Sequence, residues 1–193
     1  MAHHFFAYLS RMKHIRRWGL MRNTLPENDM EHAMQTAMIA HGLAVLGNTR
    51  YQRAYDAEHA MALALYHDAS EVITGDLPTP IKHNNPQIKA EYHKIERVAI
   101  RRLLEMLPAD FLPAYKKLLE PDPACPELPL VRAADKLCAY IKCLEETKVG
   151  NTEFLEARDS LMATLHANPL PEVQDFIAEF IPGFGMSLDQ ISR

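Results

Sequence analysis

The sequence has almost no segment in which Val, Ile and Thr alternate with polar residues, the pattern that half-buried β-strands require. Alanine, leucine, methionine and glutamate, which favour helices, dominate instead. Only 7 of the 193 residues are glycine, so the chain is poor in turns that need left-handed backbone. We therefore predict an all-α fold, a single-domain helical bundle that spans residues 1–193.

Capping residues and helix breakers predict where the helices begin and end. A helix capped by Asn28 or Asp29 is predicted to stop before Gly47. Another is predicted from Asp56 to about Ile73, ended by the glycine and prolines that follow. The apolar positions of the first of these helices are predicted to face the core: Met30, Met34, Met38 and Val45. Further helices are predicted over 5–14, 86–107, 111–119, 130–149, 153–166 and 172–180.

Charge and cysteine usage exclude several classes of protein. The net charge of −4 argues against nucleic acid as the main partner, because such proteins usually carry a basic excess. The three cysteines form no Cys-x-x-Cys pair, which indicates free thiols in a reducing compartment. Neither a signal-peptide core nor an apolar run of about 18 residues is present. We expect a cytoplasmic protein that does not bind membranes.

The segment from Met61 to Glu71 carries the clearest chemical signal. Its apolar residues lead directly into His67 and Asp68, and burying an ionised aspartate is costly unless it is paired or binds a metal. An imidazole beside a carboxylate suits Mn²⁺, Co²⁺, Fe²⁺ or Zn²⁺. On a continuous helix, Glu71 lies four residues after His67 and faces the same site without having to be a ligand.

Two further side chains are candidates for the same site. Asp135 lies in a helical stripe of apolar residues, so its carboxylate is predicted to point toward the core. His32 lies early in its own helix, close to where the apolar face begins. Together with His67 and Asp68 they give a site of two histidines and two aspartates from three helices. Such a site leaves coordination positions open for water and a phosphate oxygen.

The order His…His-Asp…Asp resembles the metal pattern of the HD superfamily, and longer blocks resemble the bacterial YfbR-like 5'-deoxynucleotidases. The resemblance runs from about His4 to Leu188, and its blocks are 4–11, Arg17-Trp18, Glu31-His32, 66–72, 74–80 and 134–140. It implies an HD-domain fold and a single divalent cation, with Co²⁺ or Mn²⁺ expected. The ligands that it implies are His32, His67, Asp68 and Asp135.

The resemblance also implies roles around the metal. Arg17 is the candidate for orienting the phosphate, since a guanidinium fork fits phosphate geometry. Glu71 is the candidate for proton transfer, or alternatively a partner that positions His67. Trp18 packs either against the sugar or base or against the protein core, and Asp76 is expected to accept a hydrogen bond from the sugar 3'-hydroxyl. The expected substrate contacts are Arg17, Trp18, His32, Asp68, Asp76, Leu77, Pro78, Thr79 and Asp135.

The resemblance therefore predicts an enzyme that hydrolyses deoxyribonucleoside 5'-monophosphates to deoxynucleosides and phosphate. One alternative is another HD phosphohydrolase, acting on nucleoside triphosphates, cyclic nucleotides or alarmones. A second alternative is a nucleotide-binding module without catalysis. A homodimer is also expected from the resemblance, and the amphipathic helices predicted over 86–107 and 153–166 offer apolar surfaces for it, although packing within one chain explains them equally.

Overall fold

The computed structural model describes residues 2–78 and 85–192, and in these ranges the chain folds into helices joined by short loops. The described residues contain no β-strand, only an isolated bridge between Arg16 and Asn28. The prediction of an all-α fold is confirmed. None of the helices in these ranges combines the length and apolarity that a membrane span needs.

The helices follow one another in the order that the capping and stop signals predict, with some changes of boundary. The α-helices are α1 Phe5–Leu9, α2 Asp29–Tyr51, α3 Ala57–Tyr66, α4 Glu71–Thr74, α5 Pro86–Leu104, α6 Leu112–Leu119, α7 Leu128–Lys148, α8 Leu155–His166, α9 Pro171–Glu179, α10 Ile181–Phe184 and α11 Leu188–Ile191. Within the part of the chain that the structure describes, two 3₁₀ helices accompany them, Ser10–His14 and Thr152–Phe154.

The main core lies where α2 packs against α3 and α7, with α9 covering one side. Small and branched residues fill it, among them Ala40, Leu43, Leu63, Leu137 and Ile141, none more than 2% exposed. A second cluster joins α1 and the Ser10–His14 turn to α5 and α6. The long helices α2 and α7 therefore lie side by side, and residues on their facing surfaces are brought close together.

The side of α2 that faces the core differs from the one predicted. Met30, Met34, Met38 and Val45 are 40%, 57%, 61% and 44% exposed, so their assignment to the core was wrong. Alanines and a leucine face the core instead: Ala33, Ala37, Ala40, Leu43 and Ala44. Hydrophobicity favours methionine over alanine, but close packing of α2 on two neighbouring helices requires the smaller side chains.

Gly47 does not end α2, contrary to the prediction. The helix continues to Tyr51 and ends at Gln52, whose φ of 53° is left-handed. Gly47 is needed for close approach, because a Cβ atom there would lie 2.7 Å from the ring of Tyr55. By contrast, α7 ends at Lys148, just before a glycine with a φ of 90°, as predicted.

Candidate metal centre

His32 enters the site from the first turn of α2, which a capping box fixes. The Asn28 side chain accepts hydrogen bonds from the backbone N–H groups of Met30 and Glu31, and the Glu31 side chain accepts one from the Asn28 N–H. These bonds satisfy the donors that a helix start leaves unpaired. His32, in the same turn, is 1% exposed.

His67 and Asp68 lie in a turn, since α3 ends at Tyr66 and the short helix α4 begins only at Glu71. The prediction of one continuous helix to Ile73 was therefore wrong. Nδ1 of His67 lies 2.6 Å from the Ala64 carbonyl oxygen. Because a carbonyl can only accept, this nitrogen carries the hydrogen, and Nε2 of the neutral ring presents a lone pair to the site.

Four side chains converge at this point. Nε2 of His32 lies 3.2 Å from Oδ1 of Asp135 and 3.6 Å from Oδ2 of Asp68. Nε2 of His67 lies 3.1 Å from Oδ2 of Asp68 and 3.9 Å from Oδ1 of Asp135. Asp135, on α7, was predicted to point toward the core; instead its carboxylate faces the two imidazoles while 40% of its side chain is exposed. It thus forms the solvent side of the site.

The set of donor atoms fits a divalent transition metal. Two imidazole nitrogens and two carboxylates meet within about the span of one coordination sphere, and the ligand atoms of His32, His67 and Asp135 all lie within 4.8 Å of one another. Carboxylate oxygens and imidazole lone pairs are all acceptors, so a positive charge is needed between them. Either a proton on an imidazole or a metal cation can supply that charge.

The metal-free site therefore favours a protonated His67. Burial lowers the pKa of His67, but the carboxylates of Asp68 and Asp135 and the bond to the Ala64 carbonyl raise it to about 9. Burial raises the pKa of Asp68, yet His67, His32 and Arg17 hold it well below its usual range. Both aspartates thus stay ionised at neutral pH, and a metal must displace the proton of His67.

We expect cation affinity to rise with pH up to about 9, the pKa of His67 in the metal-free protein, and to fall about tenfold per pH unit below it. The sign follows because protons and cations compete for the same nitrogen. Calorimetric titration with Mn²⁺ in buffers of different ionisation enthalpy counts the protons released. His67→Gln serves as the control, and the same affinity at pH 6 and pH 9 in the unaltered protein would contradict this assignment.

Arg17 and Trp18 lie on a loop beside the four side chains. Nη1 of Arg17 donates to Oδ2 of Asp68 at 3.3 Å, and its Nε lies 3.4 Å from Oε2 of Glu27. Nε1 of Trp18 donates to the same Glu27 oxygen at 2.9 Å, and its ring packs on Phe154 at 5.3 Å between centroids. The structure therefore places Trp18 partly against the protein core, one of its two predicted environments.

Glu27 and Asp29 belong to this site, although the sequence analysis gave them no role there. Asp29 was predicted only as an alternative cap, yet it is 0% exposed and its carboxylate has no hydrogen-bond partner within the described residues. Burial raises the pKa of Asp29 to about 7, and Arg17 opposes that shift. The available signal was the density of acids just before His32, at Glu27, Asp29 and Glu31.

A buried ion pair on α7 holds the other end of this loop. The carboxylate of Glu146 is 0% exposed and accepts hydrogen bonds from the backbone N–H groups of Thr24 and Leu25 at 2.9 Å. It also accepts from the Asn151 amide at 2.7 Å, and Lys142 donates both to it and to the Leu25 carbonyl. The loop that carries Arg17 is therefore anchored to α7.

Glu146→Ala is expected to lower the free energy of unfolding by roughly 3 kcal/mol, because it leaves Lys142 charged and buried without its partner. The loop that carries Arg17 should also become more mobile, since it loses its anchor. Urea unfolding and hydrogen exchange of the loop amides measure the two effects. Glu156→Ala, at an exposed position, is the control, and equal stability of both variants would show that the pair does not hold the loop.

Some of the residues that follow α4 lie near the metal centre. The charge of Asp76 acts on both Arg17 and Asp29, and Leu77 and Pro78 are half-buried beside it, whereas Thr79 lies outside the described residues.

Glu71, the first residue of α4, is 4% exposed. A cavity of about 200 Å³ borders His67 and Asp135. It is smaller than the roughly 300–1000 Å³ of usual ligand pockets.

Relatives of known type match the chain over almost its whole length. The family profile described as 5'-deoxynucleotidase YfbR-like matches residues 4–184. The 5'-deoxynucleotidase of Shewanella oneidensis is 49% identical over 191 residues, which cover 98% of each chain. The 5'-deoxynucleotidase of Yersinia pestis is 52% identical over 190 residues, which cover 98% of this chain and 96% of the relative.

Solved structures share the fold at lower identity. An HD-domain phosphohydrolase of Listeria innocua superposes with a TM-score of 0.81 at 23% identity, over 93% of this chain and 87% of that one. The cyanophage S-2L HD phosphohydrolase DatZ, bound to dA and one catalytic Zn²⁺ ion, gives a TM-score of 0.64 at 24% identity, over 92% and 94%. With an HD fold, a profile match over 4–184 and relatives near 50% identity, the chain belongs to the YfbR-like 5'-deoxynucleotidase family.

Proposed function

We propose that this enzyme hydrolyses deoxyribonucleoside 5'-monophosphates to deoxynucleosides and phosphate, using one divalent cation held by His32, His67, Asp68 and Asp135. The observation that carries the proposal is the convergence of two imidazoles and two carboxylates beside the half-buried Arg17. The activity of the relatives from Shewanella oneidensis and Yersinia pestis supports the reaction. The single Zn²⁺ bound to DatZ supports one metal per site.

The metal ligands, Arg17 and Glu71 have separate roles in cleaving a phosphomonoester. When bound, the cation polarises a phosphoryl oxygen and lowers the pKa of a water molecule. Arg17 orients the phosphate and balances its charge. Burial lowers the pKa of its guanidinium, but the carboxylates of Asp68 and Glu27 raise that pKa by a larger amount, so Arg17 stays charged. Glu71, buried at the start of α4, moves a proton at the water or at the leaving 5'-oxygen.

The sugar and base are assigned to the loops on either side of the metal centre. Asp76 accepts a hydrogen bond from the 3'-hydroxyl, with Leu77, Pro78 and Thr79 beside the nucleoside. The exposed part of Trp18 packs against the sugar or base. The dA molecule bound to DatZ supports a site that takes a deoxynucleoside. Preference for deoxyribose requires that a 2'-hydroxyl meet crowding or find no hydrogen-bond partner.

A phosphate-release assay with dAMP and AMP in parallel tests the proposal. We expect orthophosphate from dAMP, in the presence of Mn²⁺ or Co²⁺, and much less from AMP. Equal turnover of the two nucleotides would reject the preference for deoxyribose. Release of pyrophosphate or tripolyphosphate from nucleoside triphosphates would favour the alternative HD activities. A protein that binds metal but releases no phosphate from a broad nucleotide panel would be a binding module.

The same assay identifies the metal ion that activates the enzyme. We propose Co²⁺ or Mn²⁺ as the activating ion, as the family resemblance implies, and a set of two imidazoles and two carboxylates can bind either ion. Activity of the metal-depleted protein, restored with each cation in turn at equal free concentration, gives the order of preference. The cytoplasmic location expected from the free thiols stays a prediction.

We also propose that the enzyme is a homodimer that pairs through the exposed methionines of α2. Met30, Met34 and Met38 lie four residues apart on one side of the helix and are 40–61% exposed. Such a stripe of flexible apolar side chains is typical of an interface. The helices predicted over 86–107 and 153–166 also expose apolar residues, such as Val98 on α5, which is 56% exposed.

Met34→Glu is expected to convert the dimer to a monomer, because it places a charge in the centre of the methionine stripe, which the proposed interface would cover. Size-exclusion chromatography with light scattering measures the mass directly. Val98→Glu is the matched control and should leave the dimer intact. A dimer that survives Met34→Glu but dissociates with Val98→Glu would assign the interface to α5, and a monomeric unaltered protein would reject the dimer.

A further inference from the structure

A second cluster of potential metal ligands lies where the first turn of α3 meets the proline-rich loop before α7. His59 comes from α3, and Cys125 and Glu127 come from the loop and the start of α7. One ligand atom of each of these three side chains lies within 4.8 Å of the other two. Glu127 is 4% exposed, whereas His59 and Cys125 are partly exposed.

The carboxylate of Glu127 holds this cluster together. Its Oε2 accepts a hydrogen bond from the Cys125 thiol at 3.1 Å and lies 3.5 Å from Nδ1 of His59. Its Oε1 accepts a hydrogen bond from the Asp56 N–H at 3.0 Å. The Asp56 side chain in turn caps α3 by accepting from the N–H of His59 at 2.9 Å. The backbone that carries His59 and the carboxylate that faces it are therefore both fixed.

The distances suit tetrahedral coordination. With bonds of about 2.0–2.3 Å from a Zn²⁺ ion to nitrogen, oxygen and sulfur, neighbouring ligand atoms are separated by roughly 3.3–3.8 Å. The observed separations from Glu127 Oε2 are 3.1 Å to Cys125 Sγ and 3.5 Å to His59 Nδ1. A ligand nitrogen of His59 also lies within 4.8 Å of the Cys125 sulfur, so the three side chains must draw together to bind one ion.

The Cys125 thiol must lose its proton to bind a metal. Burial and the hydrogen bond to Glu127 raise the pKa of this thiol, so it is protonated in the metal-free protein at neutral pH. A raised thiol pKa makes a poor nucleophile. A divalent cation, however, takes the place of the thiol proton and leaves the thiolate bound. The proton goes to solvent when the metal binds.

We propose that His59 Nδ1, Cys125 Sγ and the Glu127 carboxylate bind a second metal ion of the zinc type, with water in the fourth position. His59 and Cys125 also line a groove of about 780 Å³, together with Lys116, Lys117 and the loop prolines, so the site is open to solvent. The ion links the loop before α7 to the start of α3, whose other end leads into His67. His59 and His67 are eight residues apart, about 12 Å along a helix, so the two sites are separate.

Cobalt is the probe for this site, because a thiolate bound to Co²⁺ gives a sulfur-to-metal charge-transfer band in the near ultraviolet. The side chains of the first metal centre include no thiol, so the band reports on the second site alone. We expect the unaltered full-length chain to bind two Co²⁺ ions and to show the band. Asp68→Ala should keep the band while it loses the other ion. This result is independent of whether the enzyme cleaves deoxynucleotides.

Cys125→Ser should abolish the band, lower Co²⁺ affinity at this site at least about 100-fold, and leave one ion per chain. Cys143→Ala, which removes a buried thiol outside this cluster, is the control and should keep both ions. If Cys125→Ser fails to fold, His59→Asn at a partly exposed position provides the same test. A band that persists in Cys125→Ser, or a single Co²⁺ per chain with no band in the unaltered protein, would overturn the proposal.

Discussion

Asp68→Ala is expected to abolish metal binding at the first centre and to lower kcat/KM for dAMP by about 10³-fold or more. Asp68 is the residue whose carboxylate contacts His32, His67 and Arg17 together. Without it, a cation loses one ligand and meets the uncompensated charge of Arg17. A loss of roughly 4 kcal/mol of transition-state stabilisation, as expected for a missing catalytic metal, corresponds to that rate effect.

The fold should survive this change, because Asp68 lies in the turn between α3 and α4 and its backbone carbonyl still accepts the bond from Glu71. Circular dichroism should show unchanged helix content, and metal analysis should show the loss of one ion. Asp68→Asn separates the effect of charge from that of volume. Asp110→Ala, at an exposed position, is the control. Near-normal turnover by Asp68→Ala would remove this residue from the mechanism.

Arg17→Lys is expected to lower kcat/KM by about 10²-fold while metal binding persists. Lysine keeps the positive charge beside Asp68 but loses the planar fork that grips two phosphate oxygens. The effect should resemble the loss of one donor to the transition state, which typically costs 10²–10³-fold. The arginine is only 13% exposed, so its position is set by Asp68 and Glu27 and does not depend on solvent.

Arg16→Lys is the matched control, since its side chain is exposed and lies next to Arg17 in the chain. The two variants have the same net charge and the same chemical change. Kinetics with dAMP should separate them by the full factor of about 10². Equal kcat/KM for both, with metal retained, would show that Arg17 serves only to balance the charges of Asp68 and Glu27.

Parts of the structure that depend on local chemistry were predictable from the sequence. The Asn28 cap, the Asp56 cap and the end of α7 before Gly150 each rest on interactions between residues close in the chain. The all-α fold follows from composition and periodicity in the same way. The convergence of His32, His67, Asp68 and Asp135 was predicted from their order and its resemblance to a family, not from local rules.

Features that depend on packing between distant elements were not predictable. The core-facing side of α2 carries alanines because α3 and α7 approach closely, and this cannot be read from α2 alone. Gly47 appeared to be a helix stop, yet its role is to admit the ring of Tyr55. The break between Tyr66 and Glu71 and the burial of Asp29 likewise depend on how the helices meet.

The most direct test is a crystal structure of the cobalt-loaded enzyme with an anomalous difference map recorded at the cobalt absorption edge. We predict a strong peak bonded to Nε2 of His32, Nε2 of His67 and carboxylate oxygens of Asp68 and Asp135. A map with no peak among these four side chains, from crystals of protein that is active with cobalt, would contradict this prediction.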